Sequence, residues 1–157
     1  RKLINMKVVL YYTEQKSKMS QLVSFLTGSD ITHASIINRG KSFDTDLAKD
    51  AFTESQILLE YPKRFCIVYD LGDKQDCQPW IDRSLGIPYD LLGYFLWIFR
   101  RNPQKKMHCF DTIVEALRSL GYFVPEDLVK RPTGDKLKNY LDTLKTYRTV
   151  MQCYEVE

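Results

Sequence analysis

The sequence predicts an α+β domain in which a central antiparallel sheet carries an amphipathic helix on one face. The sheet is predicted from three apolar, β-rich segments, at 6–12, 31–38 and 64–71. The helix is predicted over 109–120, where apolar side chains recur every three or four residues. A chain of 157 residues is long enough for one hydrophobic core, so residues 1–157 are expected to form a single domain.

The remaining elements follow from apolar spacing and from turn residues. A helix is predicted over 18–26, a short helix over 78–85 and a further helix after a Thr133 cap. A strand over 42–47 returns from 31–38 through a turn at Arg39 and Gly40, and a closing strand is predicted over 148–156. The apolar segment 89–99 is expected to be buried or to form one wall of a cleft. The sequence contains no internal repeat, so these boundaries mark elements and not further domains.

Charge and hydropathy narrow the classes of function. Lys and Arg together number 23 and Asp and Glu number 20, which leaves a net charge of +3. This excess is too small to predict nucleic-acid binding. The longest apolar run, 91–99, is much shorter than the roughly 20 residues that span a bilayer, so no membrane span is predicted. No secretory signal is recognised, which favours a cytoplasmic location.

The cysteines and histidines limit the chemistry further. The cysteines at 66, 77, 109 and 153 are widely spaced and form no CxxC pair, so neither a zinc site nor a disulfide framework is predicted. The sequence has no GxxxxGK[ST] loop and no GxGxxG loop, so no nucleotide cofactor is predicted. We therefore expect a protein with no metal and no cofactor in a reducing compartment. Its oligomeric state is left open.

Cys109 is the candidate nucleophile because it begins the predicted helix. The helix dipole and the free backbone N–H groups at a helix start favour a thiolate, and such sites lower a cysteine pKa from about 8.5 to roughly 3.5–7.5. The same N–H groups, notably those of Cys109 and its neighbour, are placed to stabilise an oxyanion. The alternative is a small buried apolar side chain on the first helical turn, which is what most free cysteines are.

His33, in the predicted strand 31–38, is the candidate general base for Cys109. A strand holds its ring in place, and His108 is its competitor. His108 is adjacent to Cys109, and neighbouring side chains at a helix start point about 100° apart, which disfavours direct contact between them. The alternative for His33 is a half-buried histidine on an edge strand.

The geometry of the hairpin predicts an acidic side chain that orients His33. We assume a turn centred between Arg39 and Gly40. Asp46 then lies opposite His33 and Asp44 lies diagonal to it, so both carboxylates share the face of the imidazole. A three-residue turn would place both on the other face. The alternative is that both are ordinary solvated acids near a turn.

The order and spacing of four segments resemble a known family. The segments are THASI at 32–36, FDT at 43–45, GIPYDLLG at 86–93 and CFDTIVEAL at 109–117. Together they look like the circularly permuted branch of the NlpC-type papain-like cysteine hydrolases, the YiiX-like group, in which the catalytic histidine strand precedes the cysteine helix. The resemblance covers roughly residues 6–125, and the order of the motifs carries it because each motif is short.

The resemblance implies a papain-like fold and hydrolysis of an amide or isopeptide bond in a peptide or acyl substrate. Cys109 would be the nucleophile, and His33 would be the general base and acid. Asp44 would be the orienting residue, since it matches the position of the polar residue in the family better than Asp46. Tyr89 would lie near the cleft and bind substrate.

Two alternatives use the same fold. A thioesterase or acyltransferase would share Cys109 and His33 and would hold an acyl chain along segment 89–99. A binding module would keep the fold without turnover, and its biological effect would then survive the loss of the Cys109 thiol. The sequence does not choose the bond that is cut.

Overall fold

A six-stranded antiparallel sheet forms the centre of the fold in the computed structural model. The structure describes residues 5–13, 17–45, 50–55, 66–72, 75–90, 106–144 and 148–152. The strands are β1 (Met6–Tyr12), β2 (Ile31–Asn38), β3 (Lys41–Thr45), β4 (Phe52–Ser55), β5 (Cys66–Asp70) and β6 (Arg148–Gln152). They lie in the order β4-β3-β2-β1-β5-β6, and each neighbouring pair is antiparallel. The predicted antiparallel sheet is therefore confirmed.

The helices complete an α+β fold. Those in the described ranges are α1 (Lys18–Thr27), α2 (Gln78–Ser84), α3 (Cys109–Ser119), α4 (Glu126–Lys130) and α5 (Gly134–Thr143). Within these ranges, every helix is too short or too polar for a bilayer crossing. The extent of a single domain over residues 1–157 stays a prediction.

Most predicted elements are found close to their predicted positions. β1 and β2 match the predicted strands residue for residue, and α3 ends one residue before its predicted end. The strand predicted over 42–47 is β3, and residues 46–49 lie outside the described ranges. Neither β4 nor α4 is predicted, because strands and helices of four and five residues are too short for an apolar period to be recognised.

The turn between β2 and β3 sets the register of this hairpin. Arg39 and Gly40 have φ values of 52° and 77°, and a two-residue hairpin turn of this kind needs positive φ at both positions. Ile36 pairs with Phe43, which is the register that a turn centred between Arg39 and Gly40 produces. The predicted register is confirmed.

α3 packs on the sheet and supplies much of the core. Its side chains Phe110, Ile113 and Leu117 are fully buried in one cluster with Leu10 of β1 and Ile36 of β2. Each such burial stabilises the fold by about 1.5–3 kcal/mol relative to an exposed side chain. The apolar stripe of α3 thus holds the first turn of this helix near β2, the strand with which it makes most contact.

A β-bulge in β2 lies directly beside His33. Tyr11 pairs with His33, but the next residue of β1, Tyr12, pairs with Ile31, so Thr32 is an extra residue in β2. The Thr32 hydroxyl oxygen lies 2.9 Å from a serine hydroxyl oxygen of α1. Because a bulge bends its strand and redirects nearby side chains, it sets the direction of His33 at this end of β2.

Gly134 lets the start of α5 approach the first residue of β2. A Cβ at this position would lie 2.3 Å from the Ile31 carbonyl oxygen and 2.4 Å from the Ile31 Cβ. We therefore expect Gly134→Ala to lower the free energy of unfolding by about 1–3 kcal/mol, the usual cost of overpacking. Urea denaturation followed by circular dichroism measures this loss.

Asn139→Ala is the matched control, because Asn139 is exposed on the same helix. Its free energy of unfolding should stay within about 0.5 kcal/mol of the wild-type value. A Gly134→Ala protein as stable as the wild type would contradict the close approach of α5 to β2.

Candidate active site

Cys109 is the first residue of α3, and it is only 3% exposed. The helix begins here because His108 has an extended backbone, with φ −99° and ψ 176°, and caps the helix with its own side chain. At such a helix start, the dipole and the backbone N–H groups favour a thiolate.

His33 and Asp44 form a hydrogen-bonded pair between β2 and β3. Nε2 of His33 lies 2.8 Å from Oδ2 of Asp44, and the two side chains are 18% and 8% exposed. Asp44 is diagonal to His33 on the same face of the sheet, as the hairpin register requires. Asp46, the other predicted candidate, lies outside the described residues.

Cys109 and His33 lie near enough for each side chain to shift the pKa of the other. Because Asp44 engages Nε2 of His33, the ring nitrogen that remains for the thiol is Nδ1. The structure thus brings the three side chains predicted from the sequence into one cluster, in which His33 is hydrogen-bonded to Asp44. Their catalytic roles stay predictions.

Two opposing effects act on the Cys109 thiol. Burial raises its pKa, whereas hydrogen bonds and charge from His108 and His33 lower it, and the balance is a pKa of about 6. At Cys77, where no imidazole offsets them, burial and the charge of Asp76 raise the pKa of the thiol to about 12. The imidazoles, and not burial, therefore favour the Cys109 thiolate.

The His33 imidazole shows the complementary shift. Burial lowers its pKa, but the hydrogen bonds to Asp44 and Cys109 outweigh burial and raise the pKa to about 9. The pKa of Cys109 is lowered and that of His33 is raised, so each group favours the charged form of the other and the pair is shifted towards thiolate and imidazolium. In this state the sulfur is nucleophilic and the ring holds a proton to donate.

Tyr11 is a site residue that the sequence analysis misses. It is the cross-strand neighbour of His33 on β1, and the two ring centroids lie 5.4 Å apart. Its hydroxyl oxygen lies 3.1 Å from Oγ of Ser35. An aromatic face beside an imidazolium favours the charged ring. Tyr11 is next to His33 because β1 pairs with β2. No local pattern in the sequence predicts that pairing.

His108 caps α3 and is not one of its helical residues. Its backbone is extended, so the helical spacing from which a contact with Cys109 is disfavoured does not apply to it. Its ring lowers the pKa of the Cys109 thiol. The sequence does carry a signal for this cap, which is Asp111 three residues after His108. This is the spacing of a capping box, here with His in place of Ser or Thr.

Fewer backbone N–H groups are free at the start of α3 than the sequence predicts. The N–H of His108 donates to Oδ2 of Asp111 at 3.2 Å, and the N–H of Phe110 donates to Nδ1 of His108 at 3.2 Å. The expectation that a neighbour of Cys109 shares an oxyanion with it is therefore wrong. The N–H of Cys109 itself meets no acceptor among the described residues.

Tyr89 lies beside the segment that leads into α3. Its backbone forms a parallel bridge with Met107, and the N–H of Asp90 donates to the Met107 carbonyl at 3.2 Å. The Tyr89 side chain is half-buried. The Tyr89 backbone therefore lies next to Met107, two residues before Cys109. Contact between the Tyr89 ring and a substrate stays a prediction. Segment 91–99 lies outside the described residues.

Comparison with known proteins yields a likeness in fold. No protein-family model and no curated protein matches the sequence. The crystal structure of the metalloprotein YiiX from Escherichia coli O157:H7, labelled DUF1105, is similar with a TM-score of 0.61 at 13% identity, over 99% of this chain and 100% of that one. The two proteins share a fold, which fits the YiiX-like group that the sequence motifs resemble.

The description of YiiX as a metalloprotein has no counterpart in the side chains seen here. In the ranges that the structure describes, no group of three or more His, Cys, Asp or Glu side chains is placed to hold a metal ion.

Replacing Asp44 by asparagine tests the pairing with His33. We expect Asp44→Asn to lower the pKa of His33 by about 1–3 units, because an opposite charge beside the imidazolium is lost. NMR titration of the His33 ring measures this change against the wild-type pKa of about 9.

Glu54→Gln is the control for Asp44→Asn. Glu54 is an exposed carboxylate on β4 that pairs with Lys41, so its replacement should leave the titration of His33 unchanged. An unchanged midpoint in Asp44→Asn as well would contradict the hydrogen bond between Asp44 and His33.

Proposed function

We propose that this protein is a cysteine hydrolase that cleaves an amide or isopeptide bond through an acyl-enzyme on Cys109. One observation carries the proposal: His33 is hydrogen-bonded to Asp44 at 2.8 Å, and Cys109 lies near enough to His33 for each to shift the pKa of the other. A nucleophile, a base and an orienting carboxylate in this order are the parts that covalent acyl transfer requires.

In the acylation step, the Cys109 thiolate attacks the carbonyl carbon of the substrate and a C–S bond forms. The carbonyl oxygen becomes an oxyanion, which the N–H of Cys109 and the positive end of the α3 dipole stabilise. The C–N bond then breaks, and the leaving amine takes the proton that His33 held as an imidazolium. The products are an amine, a thioester on Cys109 and a neutral imidazole.

In the deacylation step, neutral His33 removes a proton from water as the water oxygen attacks the thioester carbon. The C–S bond breaks, the acid leaves, and the thiolate and imidazolium are restored. The His33 ring is 18% exposed, so water can reach it. Asp44 keeps a proton on Nε2 of His33, which leaves Nδ1 to exchange its proton with the sulfur, the leaving amine or water.

The order of the motifs and the fold support the same family. The histidine strand precedes the cysteine helix, as in the permuted NlpC-type papain-like hydrolases, and the fold is similar to that of YiiX. On this basis we assign a peptide or acyl substrate. Tyr89, whose backbone is bridged to Met107, borders the proposed cleft.

p-Nitrophenyl acetate tests the acyl-enzyme directly. We expect the wild-type protein to release a burst of p-nitrophenolate and to carry one acetyl group on Cys109, detected by mass spectrometry of the quenched protein. Cys109→Ala should lose both signals. His33→Ala should slow turnover at least about 100-fold, the usual contribution of general acid–base catalysis.

Cys77→Ala is the control, because this thiol is buried and its pKa is raised to about 12. It should keep the full burst, whereas a full burst from Cys109→Ala would contradict the proposal. Turnover of p-nitroacetanilide alongside the ester supports amide cleavage. Turnover of an acetyl thioester without any of the anilide would instead indicate a thioesterase.

A further inference from the structure

A cavity of about 500 Å³ lies between α2 and the C-terminal half of α3, and the proposed mechanism does not use it. Pockets for small molecules usually measure roughly 300–1,000 Å³, so this volume suits a ligand of that class. Glu115 and Arg118 line the cavity and follow Cys109 on the same helix. At about 1.5 Å per residue, they lie roughly 9 and 14 Å along the helix axis from Cys109. The charged part of the cavity is therefore remote from the proposed nucleophile.

The apolar part of the lining is held in place by the core. Met107 is fully buried, and Trp80 and Ile87 are partly buried against the main core cluster. The Trp80 ring packs on the Phe52 ring with centroids 5.3 Å apart, and the N–H of Phe52 donates to the Ile87 carbonyl at 2.8 Å. Because these groups are already fixed, a ligand that contacts them would lose little free energy in ordering them.

Two polar side chains at the end of α2 line the cavity and have no partner among the residues that the structure describes. Ser84 is only 5% exposed, yet within those ranges its hydroxyl forms no hydrogen bond. The Arg83 guanidinium is exposed and forms no ion pair with any described residue. A nearly buried hydroxyl without a partner is costly, and a guanidinium carries N–H donors only. Both groups are therefore left to bind an acceptor that enters the cavity.

The charges in the lining favour an anion with a single negative charge. The Arg118 guanidinium donates to Oε1 of Glu115 at 3.0 Å, so this carboxylate offsets one of the two arginines. Arg83 is the other, and it leaves the described lining with a net charge of +1. A carboxylate matches this charge and can accept two N–H groups of one guanidinium at once. A phosphate dianion would bring one negative charge too many.

Both arginines also lie in the last turn of a helix. A basic side chain there interacts favourably with the negative end of the helix dipole, which is the alternative role for Arg83 and Arg118. The dipole would account for a basic residue at each helix end. It would not account for the unpartnered Ser84 hydroxyl or for the cavity between the two helices.

We propose that this cavity binds a small organic carboxylate with an apolar body. Arg83 and the Ser84 hydroxyl bind the carboxylate, and the Trp80 ring packs on the apolar body. The inference does not depend on the proposed function, because none of these side chains belongs to the Cys109 site.

Three apolar carboxylates, 4-phenylbutyrate, octanoate and indole-3-acetate, are the probes for this site. We expect saturable binding of one molecule in isothermal titration calorimetry, with a shift of the Trp80 indole N–H signal in NMR spectra. The alcohol 4-phenylbutan-1-ol has the apolar body of the first probe without its charge. It should bind at least about tenfold more weakly than 4-phenylbutyrate, because charged hydrogen bonds are lost.

Arg83→Gln should weaken the binding of 4-phenylbutyrate at least about tenfold, for the same reason. Because Arg83 is exposed, this substitution should leave the fold intact, which circular dichroism checks. Arg131→Gln is the matched control, since Arg131 is exposed and does not line the cavity. Its affinity for 4-phenylbutyrate should equal that of the wild type.

Glu115→Gln should have the opposite effect, because it releases Arg118 from its partner. We expect 4-phenylbutyrate to bind about two- to fivefold more tightly, which is the scale of an exposed ion pair. Phenyl phosphate, largely a dianion at pH 8, should gain more than the carboxylate from this substitution.

Four results would overturn the inference. Absence of binding by all three carboxylates would leave the arginines as partners of the helix dipoles alone. An equal loss in Arg131→Gln would indicate unspecific attraction of anions. Tighter binding of phenyl phosphate than of 4-phenylbutyrate to the wild type would contradict the charge match. Loss of binding in Cys109→Ala would place the ligand at the proposed active site, whereas unchanged binding supports a separate site even if Cys109 forms no acyl-enzyme.

Discussion

The reciprocal cap at the start of α3 is the constraint on which the site depends. His108 accepts from the N–H groups of the first turn through its ring, and the Asp111 carboxylate accepts from the N–H of His108. Both side chains are buried, so any donor or acceptor left unpaired here would cost about 1–3 kcal/mol. The two caps therefore favour this arrangement of the first turn, which holds Cys109 beside β2.

Burial opposes charge throughout this site, and neighbouring groups outweigh it. A single thiolate or a single imidazolium in this position would be costly, because low-dielectric surroundings disfavour an isolated charge. Opposite charges on Cys109 and His33 offset that cost for each other, and Asp44 and Tyr11 favour the imidazolium from the adjacent strands. At Cys77, without such partners, burial leaves the thiol protonated well above neutral pH.

The parts of the fold that the sequence predicts are those with local signals. The turn at Arg39 and Gly40 specifies its own register, and the apolar stripe of α3 specifies which face of the helix is buried. β4 has one fully buried side chain, Phe52, and α4 has one, Leu128. A single buried residue gives no apolar period from which a strand or a helix could be recognised. The cap that His108 forms was also missed, since the helical spacing applied to His108 does not hold at a residue with an extended backbone.

By itself, the sequence determined the sheet strands β1, β2 and β3, the helix that begins at Cys109, and the placement of Asp44 on the face of His33. Only the tertiary structure decided that His33 lies near enough to Cys109 to shift its pKa, that Tyr11 lies beside the His33 ring, and that the N–H groups on both sides of Cys109 are already used. The physical reason is distance along the chain. A turn or an apolar period is encoded within about ten residues, whereas the meeting of β2 with the start of α3 depends on packing between segments that are far apart in the sequence.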